Sequence, residues 1–386
     1  MKKIGVVSIR PAIDPAPLSF ADAYKSVGLN TGNLMFTTAI FDQIDAEATH
    51  VGFAFVPETI NARYDALVVP AANWLGSHAQ WDWFADLIEK VEIPVITIGI
   101  GAQASESRRD RIEWNDSSLR LARVLAAKAP YMSTRGHYTS ACLQQLGILN
   151  VVTTGCPSIY KDFPRIASPR EEALALQSTR YAISKAFAET PSINQALFQM
   201  AFEHRLDMIY QSEPEEMHYL LKGEAADFLS NKHQLAALCT LYGAESPEAL
   251  IFYLNHHAKL FYDLNAWSRY LQTRSGVLGT RLHGSILALN SGVPAVLIPH
   301  DSRTGEMASF ADIPTAGLRS FPWTERDMAQ IPEIMDQVGK YEETRLANKA
   351  IYRQFLAANG LRDRFDAVDP AAAPPEVSDE GRLIDD

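Results

Sequence analysis

Cysteine is scarce in this chain of 386 residues, with Cys142, Cys156 and Cys239 making up the whole set. So few and so scattered, they exclude a disulfide framework and a cysteine-based zinc site. No apolar run approaches the ~18 residues of a membrane helix, although hydrophobic residues form 47% of the chain. Basic side chains are a minority, 35 against 46 acidic, for a formal net charge of −11. That balance argues against nucleic acid or an anionic membrane as the main partner. The start, Met1-Lys2-Lys3, runs straight into Ile4-Gly5-Val6-Val7-Ser8-Ile9 and lacks the long apolar segment and cleavage site of a secretory signal. The expectation is a cytoplasmic protein with no transmembrane segment. Gly99-Ile100-Gly101 has no later glycine to complete a dinucleotide fingerprint. Nor does any His-x-x-x-His or carboxylate spacing mark a metal site.

Alternation is what the chain has in quantity. Ile4–Ile9, Thr49–Val56, Ala66–Val69, Val95–Gly99 and Val151–Thr154 are short and rich in Val and Ile, which predicts strands. Leu34–Ile44, Trp81–Lys90, Ser117–Ala127 and Tyr138–Leu146 lie between them and predict helices. Strands alternating with helices imply βαβ units on a parallel sheet covered on both faces. A linker-like stretch, Tyr160–Arg170, is followed by renewed alternation. Strands are expected at Tyr181–Ser184, Asp207–Tyr210, Leu260–Tyr262, Gly276–Gly279 and Ala295–Ile298, and helices near Ser192–His204, Glu213–Leu221 and Pro247–Leu254. The predicted organisation is an α/β chain with two Rossmann-like domains, 1–165 and 175–324. A helical stretch at 325–359 returns to the first domain, and the Pro- and acid-rich tail 366–386 is disordered. Ligands of such sheets bind beyond the carboxyl ends of the strands, so polar residues at strand ends are the candidates.

The strongest such place is Gly279-Thr280-Arg281-Leu282-His283-Gly284-Ser285, where a strand gives way to a helix. Arg281 and His283 there join a fixed cation and a titratable imidazole to the positive end of a helix. Ser133-Thr134-Arg135-Gly136-His137 is a second strand end, and its Arg135 suits a phosphate or carboxylate. Gly99-Ile100-Gly101 reads as a tight turn beside the cleft, with Gly101 allowing close backbone approach. Asn30-Thr31-Gly32-Asn33 opens the first long helix, and a helix cap is the commoner role for Asn30 or Thr31. Gly155-Cys156-Pro157-Ser158 ends the first half, but no sequence neighbour lowers the pKa of Cys156. Trp74, Trp81, Trp83 and Phe84 read as core or interface, with sugar stacking as the sharper alternative.

With Asn30-Thr31-Gly32-Asn33, Gly99-Ile100-Gly101, Arg135-Gly136, Gly155-Cys156-Pro157 and Gly279-Thr280-Arg281-Leu282-His283-Gly284, the chain resembles the polysaccharide pyruvyl transferase family over about residues 5–320. The resemblance implies a GT-B-like arrangement of two Rossmann-like domains facing across a cleft. It also implies transfer of the pyruvate group of phosphoenolpyruvate onto sugar hydroxyls, as a ketal on a cell-surface or exopolysaccharide glycan. By that likeness Arg281, Leu282 and His283 match the donor-binding and catalytic segment, and Arg135 the first-domain arginine. His283 is then the acid or the base. Arg135, Arg281, Leu282, Gly284, Asn30, Asn33 and Gly101 bind substrate, with no cofactor and no metal. The acceptor is a sugar or a lipid-linked oligosaccharide, which would bring the protein transiently to a membrane face. Asn33 and Cys156 stand where the family often has Asp. Two other readings are a nucleotide-sugar glycosyltransferase of the same architecture, with Glu306 holding the ribose, and a noncatalytic sugar- or anion-binding protein.

Overall fold

The computed structural model describes residues 2–77, 80–103, 112–166, 171–178, 193–223, 226–317 and 331–365. The first unit runs β1 (Lys3–Val7), α1 (Phe20–Ser26), α2 (Asn33–Gln43), β2 (Glu47–Val51), α3 (Pro57–Arg63), β3 (Ala66–Pro70), β4 (Asn73–Leu75), α4 (Asp82–Glu89), β5 (Val95–Ile98), β6 (Gly101–Ala102), α5 (Asp116–Ala127), β7 (Met132–Thr134), α6 (His137–Gln145) and β8 (Val151–Thr153). A 3₁₀ turn, Pro157–Tyr160, closes it. β1, β2, β3 and β5 form a parallel sheet in the order β2-β1-β3-β5. A parallel bridge from Ile100 to Thr134 carries the pairing on to β7 and β8. Every residue of β3 and β5 is buried, as expected of strands with helices on both faces.

The second unit runs β9 (Glu171–Gln177), α7 (Ile193–Glu203), β10 (Asp207–Tyr210), α8 (Pro214–Lys222), α9 (Asp227–Ser230), α10 (Lys232–Tyr242), α11 (Pro247–His257), β11 (Ala258–Leu260), α12 (Leu264–Gln272), β12 (Arg274–Gly279), α13 (Leu282–Asn290), β13 (Ala295–Leu297) and α14 (Ser302–Ala311). Its sheet is parallel throughout, in the order β11-β10-β9-β12-β13. The fold is thus α/β with two Rossmann-like units, in a GT-B-like arrangement. Strand order reverses beside β1 in the first sheet and beside β9 in the second, and such reversals open a crevice at the strands' carboxyl ends.

The long helix Val338–Ala358 lies against the first unit, where Arg345 Nε donates to the Ile159 carbonyl at 2.7 Å and Arg345 pairs with Asp162. Beyond it, Arg364 N donates to the Gln43 carbonyl at 2.9 Å, and Asp45 N to that of Arg362 at 2.8 Å. Residues 325–330 of the expected helical stretch, and the tail 366–386, lie outside the described residues.

Several elements differ from the sequence expectation. The strand expected over Thr49–Val56 stops at Val51, because Pro57 fixes the first turn of α3. β11 ends at Leu260, where a strand was expected to begin. β9 was not anticipated. Its Glu-Glu-Ala-Leu-Ala-Leu-Gln carries no β-branched residue and has helical propensity, and pairing with β10 and β12 overrides that preference. The strand expected at Tyr181–Ser184 falls outside the described residues.

Gly155 shows how closely the units approach. Its φ of +76° lies in the left-handed region, and a Cβ there would sit 2.5 Å from the Phe310 ring of α14. Gly147 has a similar φ of +81° with open space around it. Gly155→Ala is expected to cost about 1–3 kcal/mol by denaturant unfolding, and Gly147→Ala only the backbone share, about 1 kcal/mol. Equal losses would contradict the packing contact.

Candidate active site

The carboxyl ends of both sheets line one cavity of about 350 Å³. The first unit contributes Asn30, Asn33, Phe36 and Arg135, and the second Gln211, Thr280, Arg281, Leu282, His283, His300 and Arg303. Two hydrogen bonds join the units at its base: Thr31 N donates to the Gln211 carbonyl at 2.9 Å, and the Tyr24 hydroxyl to that of Ser212 at 2.8 Å.

Arg135 is buried and held by main-chain oxygens. Nε donates to the Gly99 carbonyl at 2.8 Å and Nη2 to that of Ala71 at 3.2 Å. Both carbonyls follow central strands of the first sheet, β5 and β3, so the sheet itself aims the guanidinium. Its carbon lies 5.7 Å from the centre of the Phe36 ring. Among the described residues it forms no ion pair with a carboxylate, so the cation is oriented without being neutralised. Burial lowers its pKa from the ordinary arginine value, yet a guanidinium stays charged at neutral pH.

Arg281 is anchored differently. Nε donates to the Ser178 carbonyl at 2.7 Å, while Nη2 meets Ser212 Oγ and the Glu213 carboxylate. Glu213 is itself fixed, its Oε2 accepting from Gln211 N at 3.0 Å and Ser212 N at 3.1 Å. Nη1 of Arg281 has no protein partner among the described residues. α13 begins directly after Arg281 with no side-chain cap, which leaves first-turn N–H groups to favour an anion.

His283 stands on that first turn. Its Nε2 lies 3.7 Å from Cys156 Sγ, and its ring packs at 5.5 Å from Phe36. Ser158 Oγ donates to the same sulfur at 3.1 Å. Burial, then the charges of Arg135 and Arg303, hold the imidazole pKa well below the ordinary histidine value. It is therefore neutral at pH 7 and able to accept a proton.

The remaining predicted residues have identifiable places. Leu282 lines the cavity. Asn30 Oδ1 accepts from Gly32 N at 2.8 Å, and Asn33 Nδ2 donates to the Val27 and Gly28 carbonyls, so both also shape their loop. Gly101 is not one of the residues that line the cavity; a Cβ there would come within 3.2 Å of Arg135 Cδ, so its smallness makes room for that side chain. Gly284 faces away from the cavity's lining: a Cβ there would fall 1.9 Å from Gln177 Oε1, so its smallness serves packing of α13 on β9. Glu306 caps α6 across the cleft, Oε1 accepting from Thr139 N at 2.6 Å and Oε2 from Thr139 Oγ1 at 2.9 Å.

Sequence reasoning missed Phe36, Gln211, His300 and Arg303. His300 and Arg303 follow β13 and flank the start of α14, so the strand-end rule that found Arg281 would have found them. Cys156 had no legible partner because His283 lies 127 positions away. Among the described residues no cluster of His, Cys, Asp and Glu is placed to hold a metal, and no helix is long and apolar enough to cross a membrane.

An arginine-lined cleft between two parallel-sheet units defines an α/β protein of GT-B-like build. The sequence profile of the polysaccharide pyruvyl transferase family matches residues 9–302, and the chain belongs to that family. Comparison with functionally curated proteins gives no match. Similar solved structures include MnaA of S. aureus with UDP, at 10% identity, covering 92% of this chain and 96% of that chain with a TM-score of 0.46. The UDP-GlcNAc 2-epimerase of Neisseria meningitidis bound to UDP-GlcNAc is similar at 11% identity, covering 92% and 100% with a TM-score of 0.45. That of Rickettsia bellii is similar at 12% identity, covering 92% and 96% with a TM-score of 0.43.

The depressed His283 pKa has a consequence for stability. Below about pH 6.5 the unfolded chain protonates this histidine while the folded chain does not, so the unfolded state binds more protons and stability is lost as pH is lowered. His283→Gln removes that contribution. Unfolding free energies measured from about pH 7.5 to 5.5 should fall more steeply for the wild type than for the variant. Parallel curves would show that the imidazole is not held neutral.

Proposed function

We propose that the protein transfers the pyruvate group of phosphoenolpyruvate onto two hydroxyls of a sugar, forming a cyclic ketal on a cell-surface or exopolysaccharide glycan. The reaction is placed in the cytoplasm, on a sugar or lipid-linked oligosaccharide acceptor. The observation that carries this reading is a neutral histidine beside arginines whose charge is left over for a ligand. Among the described residues Arg135 has no carboxylate partner, and Arg281 keeps Nη1 and an uncapped helix N-terminus on the same cavity. Phosphoenolpyruvate, with a carboxylate and a phosphate, supplies the anions that such a site lacks.

On this reading, the donor's methylene carbon takes a proton as one sugar hydroxyl attacks C2. The second hydroxyl then displaces phosphate from C2 and closes the ring. Of the two hydroxyl protons, one balances the new methyl group and the other leaves with phosphate or solvent. His283 rests neutral, which suits it to take the first proton from the attacking hydroxyl and return it towards the methylene carbon. The anionic donor raises the basicity of the imidazole as it binds, because it offsets the arginine charges that depress it. The nucleotide-sugar reading is disfavoured by Glu306, since both its oxygens are engaged by Thr139.

Purified protein incubated with phosphoenolpyruvate and acceptor glycans should release phosphate and leave a pyruvate ketal detectable by mass spectrometry. His283→Gln should lose turnover by about 10²–10⁴-fold while still binding the donor. Turnover of a nucleotide sugar instead would establish a glycosyltransferase, and donor binding without turnover in the wild type a binding protein.

A further inference from the structure

We infer that Arg303 is a donor-binding residue that grips the phosphate of phosphoenolpyruvate, with Asp301 as its positioning residue; this rests on the donor reading above. Arg303 lines the same cavity as Arg135, Arg281 and His283, from the first turn of α14. Its Nε is buried and makes no hydrogen bond among the described residues. A buried guanidinium N–H without an acceptor is costly, and an anion in the cavity removes that cost. Nη2 donates to Asp301 Oδ2 at 3.0 Å, which leaves the rest of the fork for a ligand.

Asp301 has two separable tasks. Oδ1 accepts from Thr304 N at 2.7 Å and caps α14, while Oδ2 holds Arg303. The same helix carries Glu306, which reaches the first unit, so the position of Arg303 is tied to the position of Arg135. These two guanidiniums repel one another, and the repulsion is relieved most by the more highly charged end of the donor. Arg303 is also the more exposed of the two, its side chain 30% accessible, and so sits on the side from which free phosphate departs.

The test measures dissociation constants of phosphoenolpyruvate, inorganic phosphate and pyruvate by ligand-observed NMR, for wild type, Arg303→Gln, Arg303→Lys and Asp301→Asn. Arg303→Gln should weaken phosphoenolpyruvate and inorganic phosphate by about tenfold or more, and leave pyruvate within about twofold. Arg303→Lys should recover part of the loss, since a point charge replaces a fork. Asp301→Asn keeps a good helix cap, and should weaken phosphate less than Arg303→Gln does. Wild-type protein that binds both phosphoenolpyruvate and phosphate, with both unchanged in Arg303→Gln, overturns this inference alone. Wild-type protein that binds neither overturns the donor reading and this inference with it. Equal weakening of pyruvate and phosphate would overturn the assignment of Arg303 to the phosphate end.

Discussion

The carboxylate of Glu306 does for α6 what no residue of the first unit does. That helix begins at His137 with Gly136 as its cap, and glycine has no side chain to accept its leading N–H groups. Glu306, brought across the cleft by α14, accepts from Thr139 through both oxygens. Burial raises the Glu306 pKa, and the Thr139 hydrogen bonds pull the other way by favouring the charged form. The bond therefore has a preferred geometry as well as an energy, and together with the Thr31–Gln211 and Tyr24–Ser212 bonds it holds the second unit to the first. A Cβ at Gly136 would lie 2.2 Å from Glu306 Cγ, so any larger residue there would displace this carboxylate. With the two units so joined, Arg135 comes to the same cavity as Arg281 and His283.

The three arginines differ in how far the protein has spent their charge. Arg281 is paired with buried Glu213, Arg303 is paired with Asp301, and Arg135 is held, among the described residues, by carbonyl oxygens. Carbonyls orient a guanidinium but, unlike a carboxylate, leave its net charge in place. Arg135 is thus the cation that an incoming anion gains most from meeting. The same excess of charge explains His283, whose neutrality follows from burial beside Arg135 and Arg303. One electrostatic arrangement, on the proposed reading, attracts the donor and keeps the base unprotonated until the donor arrives.

Much of this was legible in the sequence where the signal was local. Fully apolar strands such as Ala66–Pro70 announce a sheet covered on both faces, and the Arg281–Gly284 segment announces itself at a strand end. β9 was hidden because its residues favour a helix and only its neighbours make it a strand. The packing role of Gly284 was hidden for a related reason: a glycine beside a ligand and a glycine under a packed glutamine look alike until Gln177 is placed. The capping of α6 by Glu306 was not legible, since its partner Thr139 is 167 positions away. Local propensity and motif were readable, whereas pairings across the cleft were set by tertiary structure.

The most direct measurement is a crystal structure of the protein with phosphoenolpyruvate bound. The account requires the donor's two anionic ends to contact Arg135 and the free Nη1 of Arg281, with the methylene carbon facing His283. Donor bound instead in the separate cavity of about 480 Å³ beside Pro11, Tyr262 and Asn265, or an arginine cleft left empty at saturating donor, would contradict it.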